Sequence, residues 1–223
     1  MTTAPYKMRI DIVSDVVCPW CIIGYKQLEN ALDIVGDEVE AEIVWQPFEL
    51  NPNMPPEGQD MAEHVAQKYG TTPEQSAKTR GHMMGLAEKL GFPFSNAPGK
   101  RIYNTFKAHQ LLHWAGESFG SAIQTRLKLA FFEAYFQENQ DVSDEDVLLR
   151  AVEGTGLDPD AARAVLNDPA HAERTREALN GWVERGVSGV PATILDGKYM
   201  VPGAQDAETF AQMIRKVIAK EAA

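Results

Sequence analysis

The chain has 223 residues, 44% of them apolar, enough to bury one good core, or one core and a sizeable insertion. Its 32 acidic residues against 21 basic ones give a formal net charge of −11, which argues against nucleic acid and anionic membrane as partners, since both need a basic footprint. The N-terminus (MTTAPYKMRIDIV) has no apolar core of signal-peptide length and no stretch is long enough to cross a bilayer, so the expectation is a soluble cytoplasmic protein.

Met8 to Ser14 alternates, with Ile10, Ile12 and Ser14 against Arg9, Asp11 and Val13, and reads as a strand. Pro19 to Val35 carries Ile22, Leu28, Leu32 and Val35 at near-helical spacing and stops at Gly36. Val39 to Leu50 is a second strand candidate, ended by the proline-rich Asn51–Pro56. From Gln59 to about Gly186 helix follows helix. The candidates are Met61 to Tyr69, Pro73 to Leu90, Tyr103 to Phe119, Ser121 to Asn139, Asp144 to Gly154 with Ser143 as its cap, Pro159 to about Asn167, and Ala170 to Arg185. Pro191 to Leu195 and Lys198 to Val201 form a hairpin around Asp196–Gly197, and Asp206 to Ala219 is a last helix. The strand-bearing halves cannot bury a sheet separately, so one mixed sheet built from both chain ends is expected, with the helices as an insertion.

The two cysteines, Cys18 and Cys21, are the only ones in the chain. They flank Pro19 and Trp20 where the first strand turns into the first helix. Pro19 suits a first helical position, where its missing N–H costs nothing. Cys18 then sits at the helix N-terminus, whose free N–H groups and positive dipole end stabilise a thiolate. That setting is expected to lower its pKa from about 8.5 toward the roughly 3.5–7.5 of such motifs. Cys21, almost one turn on, can reach the same sulfur. Two cysteines in a reducing compartment point to catalysis or sensing rather than to a staple. Zinc would need four ligands, of which this pair supplies two; no histidine lies close by in sequence, and no metal is expected. Inert thiols are the other alternative.

Several segments resemble the DsbA-like branch of the thioredoxin superfamily, in its FrnE-like or hydroxychromene-carboxylate-isomerase-like group. They are Asp15-Val16-Val17-Cys18-Pro19-Trp20-Cys21 with Gly24, Trp45 to Pro52 (WQPFELNP), Asn104-Thr105 with Ala108-His109, Gly186 to Pro191 (GVSGVP), and Gly203-Ala204-Gln205. The resemblance covers essentially the whole chain. It implies an α/β thioredoxin-like fold, with a mixed central sheet flanked by helices, formed by residues 1–52 and 180–223. A large all-helical insertion would span 53–179. It further implies a cis Pro191 opposite the cysteines, leaving the Val190 backbone free to pair with an extended substrate, and Asn104 and His109 facing the pair and lining the substrate cleft.

The implied activity is thiol–disulfide exchange. Cys18 and Cys21 would be catalytic, and Pro19, Trp20 and Pro191 would shape the site. The relatives that isomerise or conjugate with glutathione generally carry serine at the position of Cys18, whereas this chain has both cysteines. DsbA carries histidine where Trp20 stands here, so a less extreme Cys18 pKa and a less oxidising pair are expected. The cofactor is the redox-active disulfide itself. Partners would be protein or peptide thiols and disulfides, with glutathione a candidate co-substrate and a homodimer a candidate assembly. Two rivals stand beside this reading: a glutathione-dependent isomerase or transferase, and a redox-sensing binding protein.

His109 and His113 lie four apart on one helix and share a face; a partly buried helix face explains His113. Phe131, Phe132, Tyr135 and Phe136, with Met61, Met83 and Met84, read as core of the insertion.

Overall fold

The structure, a computed structural model, describes residues 4–221. In chain order its elements are β1 (Tyr6–Ser14), α1 (Pro19–Val35), β2 (Val39–Pro47), β3 (Gln59–Asp60), α2 (Met61–Tyr69), α3 (Pro73–Lys89), β4 (Arg101–Ile102), α4 (Phe106–Phe119), α5 (Ser121–Phe132), α6 (Glu145–Gly154), α7 (Pro159–Leu166), α8 (Pro169–Glu184), β5 (Ala192–Leu195), β6 (Tyr199–Pro202) and α9 (Ala207–Glu221). The main sheet runs β2-β1-β5-β6. β1 pairs parallel with β2 across the α1 crossover and antiparallel with β5, and β5 pairs antiparallel with β6. A mixed sheet assembled from both chain ends is what the sequence implied. β3 and β4 form a separate two-stranded ribbon that the sequence pattern did not suggest.

β1 is buried on both faces because helices cover both. Met8, Ile10 and Ile12 join α1, α9 and the middle helices in the main core, while Val13 packs with Phe48, Trp182, Val187, Ala192 and Ile194 on the opposite face. The alternation that put Asp11 opposite the apolar residues therefore points it into protein, not water. It is satisfied there: Arg9 donates from Nε and Nη2, and Gln46 Nε2 donates at 2.7 Å while its Oε1 accepts from Trp182 Nε1. A buried carboxylate needs such partners.

The insertion is not a detached unit. One continuous core includes Ile12 of β1 and Ile22 and Leu28 of α1 together with Leu111, Leu127, Phe131, Phe132, Tyr135 and Phe136. β2 is an edge strand, and α5 covers it: Gln124 hydrogen-bonds to the backbone of Trp45.

Several boundaries move from their sequence positions for local reasons. β2 ends at Pro47, three residues early, because proline gives the ladder no N–H. α4 starts at Phe106 rather than Tyr103: Thr105 is its N-cap, and Asn104 Oδ1 takes the Phe106 N–H from the turn before it. The helix begun at Ser121 turns into a π-helical segment, Glu133–Gln137, that swings Tyr135 and Phe136 inward. Asp144, not Ser143, caps α6: its carboxylate accepts from Asp146 N and Val147 N, while Ser143 turns back to Asp141. The final hairpin turn has Asp196 and Gly197 at φ 50° and 66°, the left-handed pair its sequence suggested.

Candidate active site

Cys18 is the N-cap of α1, with φ −90° and ψ 112°, and its side chain caps nothing. Asp15 and Cys18 bracket a tight turn, Cys18 N donating to Asp15 O at 3.3 Å and Cys21 N to Cys18 O at 3.1 Å. That turn lifts the chain off β1 and aims both sulfurs along the start of the helix. Both cysteines are free thiols and both are buried, Cys18 at 4% and Cys21 at 0% exposure. Cys18 Sγ also lies 3.7 Å from the carbonyl oxygen of Val190, and the Val190–Pro191 peptide is cis. Gly24 of α1 packs so tightly against this wall that an added methyl would stand 3.3 Å from Pro191 Cγ and from Ala204 Cα and Cβ.

The two thiols behave as one titrating unit. A hydrogen bond with Cys21 and burial push the Cys18 thiol well above its ordinary value. Burial also pushes Cys21 up, but the Cys18 hydrogen bond and the Lys128 charge outweigh it and leave Cys21 lowered, with smaller help from Asp15 and Ser14. One proton is thus held between two sulfurs, and losing the second is hard. The sequence reading, which lowered Cys18 alone, counted the helix terminus and missed the mutual hydrogen bond.

Beneath the sulfurs lies a set of buried ionisable groups. Asp15 is fully buried; its Oδ2 accepts the Leu50 N–H at 2.7 Å and its Oδ1 faces His109 Nε2 at 3.4 Å. Burial raises the Asp15 carboxyl, but His109, Leu50 and Lys128 pull it below its ordinary range. Lys128, 1% exposed, comes in from α5 with its ammonium over the Trp45 and Phe132 rings. Burial lowers it to about 8, although Cys21, Asp15 and Cys18 all favour its charge. Glu49 is raised to about 7 by burial and by Asp15, with Asn104 and Arg176 opposing.

His109 is therefore not a cleft-lining residue. At 1% exposure it sits under the dithiol, because its position on α4 faces β1 and the β2 exit rather than the surface. Asn104 is half-buried near the Pro52 carbonyl and accepts the N–H of Phe106, the first residue of α4. Trp20 is partly exposed beside the cysteines, its ring centroid 6.3 Å from that of His82 on α3. Tyr69, at the end of α2, is largely exposed, and partial burial and the Cys18 charge raise its phenol. The α2–α3 pair thus overhangs the exposed side of the dithiol. Sequence reasoning assigned no role to Asp15, Glu49, Tyr69, His82 or Lys128. Lys128 did leave a signal, since it interrupts the apolar stripe of Leu127, Phe131 and Phe132 on a single helix face.

A free dithiol at a helix N-terminus, over a buried lysine and a carboxylate–imidazole pair, can form a thiolate, open or close a disulfide, and exchange protons with the groups below. Known proteins resemble this chain along nearly its whole length. The Bacillus subtilis (strain 168) protein YwbO, described as uncharacterized, is 31% identical over 209 residues, which are 93% of this chain and 96% of that one. The structure of the probable DsbA oxidoreductase SCO1869 from Streptomyces coelicolor is 33% identical, covers 94% of this chain and 89% of its own, and superposes with a TM-score of 0.86. The cytosolic disulfide reductase DsbM from Pseudomonas aeruginosa, solved with GSH, shares the fold at 16% identity with a TM-score of 0.61 over 95% of this chain and 99% of that one. Residues 9–215 match the DSBA-like thioredoxin domain, and this chain belongs to that family.

Proposed function

We propose that this protein exchanges thiols and disulfides through Cys18 and Cys21, in the reducing direction, with glutathione-type thiols returning the electrons. One observation carries the reading: two free cysteines three residues apart at the start of α1, with the Cys18 sulfur 3.7 Å from the Val190 carbonyl oxygen. With the shared proton passed from Cys18 to Cys21, the Cys18 thiolate attacks one sulfur of a substrate disulfide, forms a mixed disulfide and expels the other sulfur as a thiolate. Cys21 then attacks Cys18 Sγ, closes the internal disulfide and releases the second substrate thiolate, so two electrons pass from dithiol to substrate. Val190 and Asn104 are proposed to contact the substrate, and Trp20, Tyr69 and His82 to form its aromatic rim. The reducing direction and the cytoplasmic setting are supported by the name of the Pseudomonas aeruginosa relative in fold, and the direction also by Pro19 and Trp20, rather than a histidine, between the cysteines.

The test is the equilibrium between dithiol and disulfide in graded glutathione buffers, scored by alkylation and mass. A potential near the roughly −270 mV of thioredoxin supports the reductase, and one near the roughly −120 mV of DsbA reverses its direction. A pair with no reversible disulfide ends the exchange reading.

A further inference from the structure

Among the described residues two amines are buried, Lys128 beneath the dithiol and Lys100 just before β4, and their surroundings are of opposite kinds. Lys128 has Cys21, Asp15 and Cys18 to favour its charge. Lys100 is 8% exposed and has no such neighbour. Burial, and then the positive charge of Arg80 on α3, lower it to about 8. Its ammonium lies over two rings, 4.8 Å from the Tyr135 centroid and 4.7 Å from that of Phe136. Ring faces attract a cation, but they give its three N–H groups no strong acceptor.

Arg80 is half-buried and offers no relief. The ion pairs of the chain, such as Arg9–Asp11, Arg163–Glu145 and Arg215–Glu38, lie elsewhere; among the described residues neither Lys100 nor Arg80 makes a salt bridge or a side-chain hydrogen bond. In a chain of net charge −11, a shortage of acids does not explain two neighbouring cations without a carboxylate. A buried charge left without a partner is costly, and an anion from outside would supply both the opposite charge and the missing acceptors.

The surroundings of Lys100 are firmly held. Its carbonyl accepts the Met61 N–H at 3.0 Å, Arg101 donates to the carbonyls of Glu57 and Gly58, and the Tyr135 hydroxyl donates to the Arg101 carbonyl at 2.9 Å. Tyr135 and Phe136 reach the ammonium because the π-helical segment Glu133–Gln137 turns them inward, and such segments are rare and gather at functional sites. Phe94 stacks on Phe136 with centroids 4.6 Å apart, and Ser95 N donates to the Phe136 carbonyl at 2.7 Å.

We propose that Lys100 and Arg80 together bind a small oxyanion, a carboxylate or a phosphate group, between α3 and the start of β4.

The two side chains suit one ligand. A guanidinium offers a planar fork for two oxygens, and an ammonium is a compact charge for a third contact. The anion replaces a repulsion between α3 and the residue before β4 with two attractions. It thereby fastens the helix whose His82 ring stands 6.3 Å from Trp20, at the rim of the dithiol.

The site stands apart from the exchange chemistry, and it is tested on the reduced full-length chain without turnover. Urea midpoints are measured at pH 7 in sodium phosphate, sodium acetate and sodium chloride at matched ionic strength, so that screening is common to all three. Phosphate or acetate should raise the midpoint above that in chloride; at about ten times its dissociation constant, the anion raises the folding constant about tenfold. A larger response to phosphate assigns the site to phosphorylated ligands, and a larger response to acetate assigns it to carboxylates. Lys100→Met, which keeps an apolar side chain on the rings, should lose the response. Arg80→Gln, at a half-buried position, should lose most of it, and is read in its place should Lys100→Met not fold. Equal midpoints in the three salts overturn the proposal and leave Lys100 a lysine whose ammonium simply reaches water. A rise that both variants keep overturns it too, because it is then the general stabilising action of the salt.

Discussion

Gln124 Oε1 accepts the Trp45 N–H at 2.9 Å and Gln124 Nε2 donates to the Trp45 carbonyl at 2.9 Å, so one side chain of α5 takes the place of a missing strand beside β2. The same amide also donates to Leu112 O and presses on Gly116, where a methyl group would stand 2.7 Å from it. This contact ties the insertion to the sheet next to Lys128.

Gln124→Leu should therefore destabilise the fold, although it adds apolar surface. It leaves a buried N–H and a buried C=O of Trp45 unpaired, at about 1–3 kcal/mol each, against about 1 kcal/mol gained from burying the new apolar atoms. The expected net loss is about 1–5 kcal/mol, visible as a lower midpoint in urea with an unchanged slope.

Lys128→Met separates stability from chemistry. Burial lowers this amine to about 8, so between pH 8 and about 10.4 the unfolded chain binds the proton that the folded chain has lost. The sign is that of a destabilising group: its cost is complete below pH 8 and disappears as pH rises toward 10.4. At pH 7 the variant should be more stable, by up to about 3 kcal/mol, and its advantage should vanish near pH 10.5. The same change removes the charge that lowers Cys21, so the thiolate absorbance of the reduced pair should titrate at higher pH than in the wild type. A variant no more stable than wild type at pH 7 would show that Lys128 is better compensated than its surroundings indicate.

Glu49 carries the opposite pH window. Its folded pKa of about 7 lies above the ordinary glutamate value, so between about 4.3 and 7 the folded state holds the extra proton. Stability from this group is full below pH 4.3 and is lost as pH rises through 7. Glu49→Gln should flatten that part of the stability profile; because the group is partly solvated, the change is smaller than the shift alone implies. Urea midpoints at pH 4.5, 6 and 8 for both proteins would show it, and parallel profiles would exclude it.

The sequence carried the fold well where punctuation is local. Pro19 and Gly36 bracket α1, Met61 and Tyr69 bound α2 as their spacing implied, and Asp196–Gly197 set the last hairpin. It carried the dithiol because two cysteines three apart on a strand-to-helix turn have few other uses. What stayed hidden is what depends on one element crossing another. Asp11 alternates as a surface residue would, and only the helix layer of Trp182 makes its face interior. Lys128 and Gln124 look like polar interruptions of an apolar stripe until α5 is seen to cross the sheet edge beneath the cysteines. The family resemblance put His109 at the substrate cleft, whereas its burial on the inner face of α4 could not be read from the sequence.

Gly24→Ala tests the wall opposite the cysteines, and two effects of similar size compete in it. Replacing glycine inside α1 gains about 1 kcal/mol in helix propensity. The added methyl meets Pro191 Cγ and Ala204 at 3.3 Å, so both segments must give by a few tenths of an ångström, at about 1–3 kcal/mol for overpacking. Stability should accordingly change little, by no more than about 2 kcal/mol downward. Function should not be so forgiving. The methyl pushes on the segment whose Val190 carbonyl stands 3.7 Å from Cys18 Sγ, and a displaced wall alters the approach of any chain that lies along it. Turnover of a disulfide substrate by Gly24→Ala should fall several-fold through KM, while the Cys18–Cys21 potential stays close to wild type, because neither sulfur nor Lys128 is touched. Wild-type KM in a stably folded variant would mean that substrate does not run along the Val190–Pro191 segment.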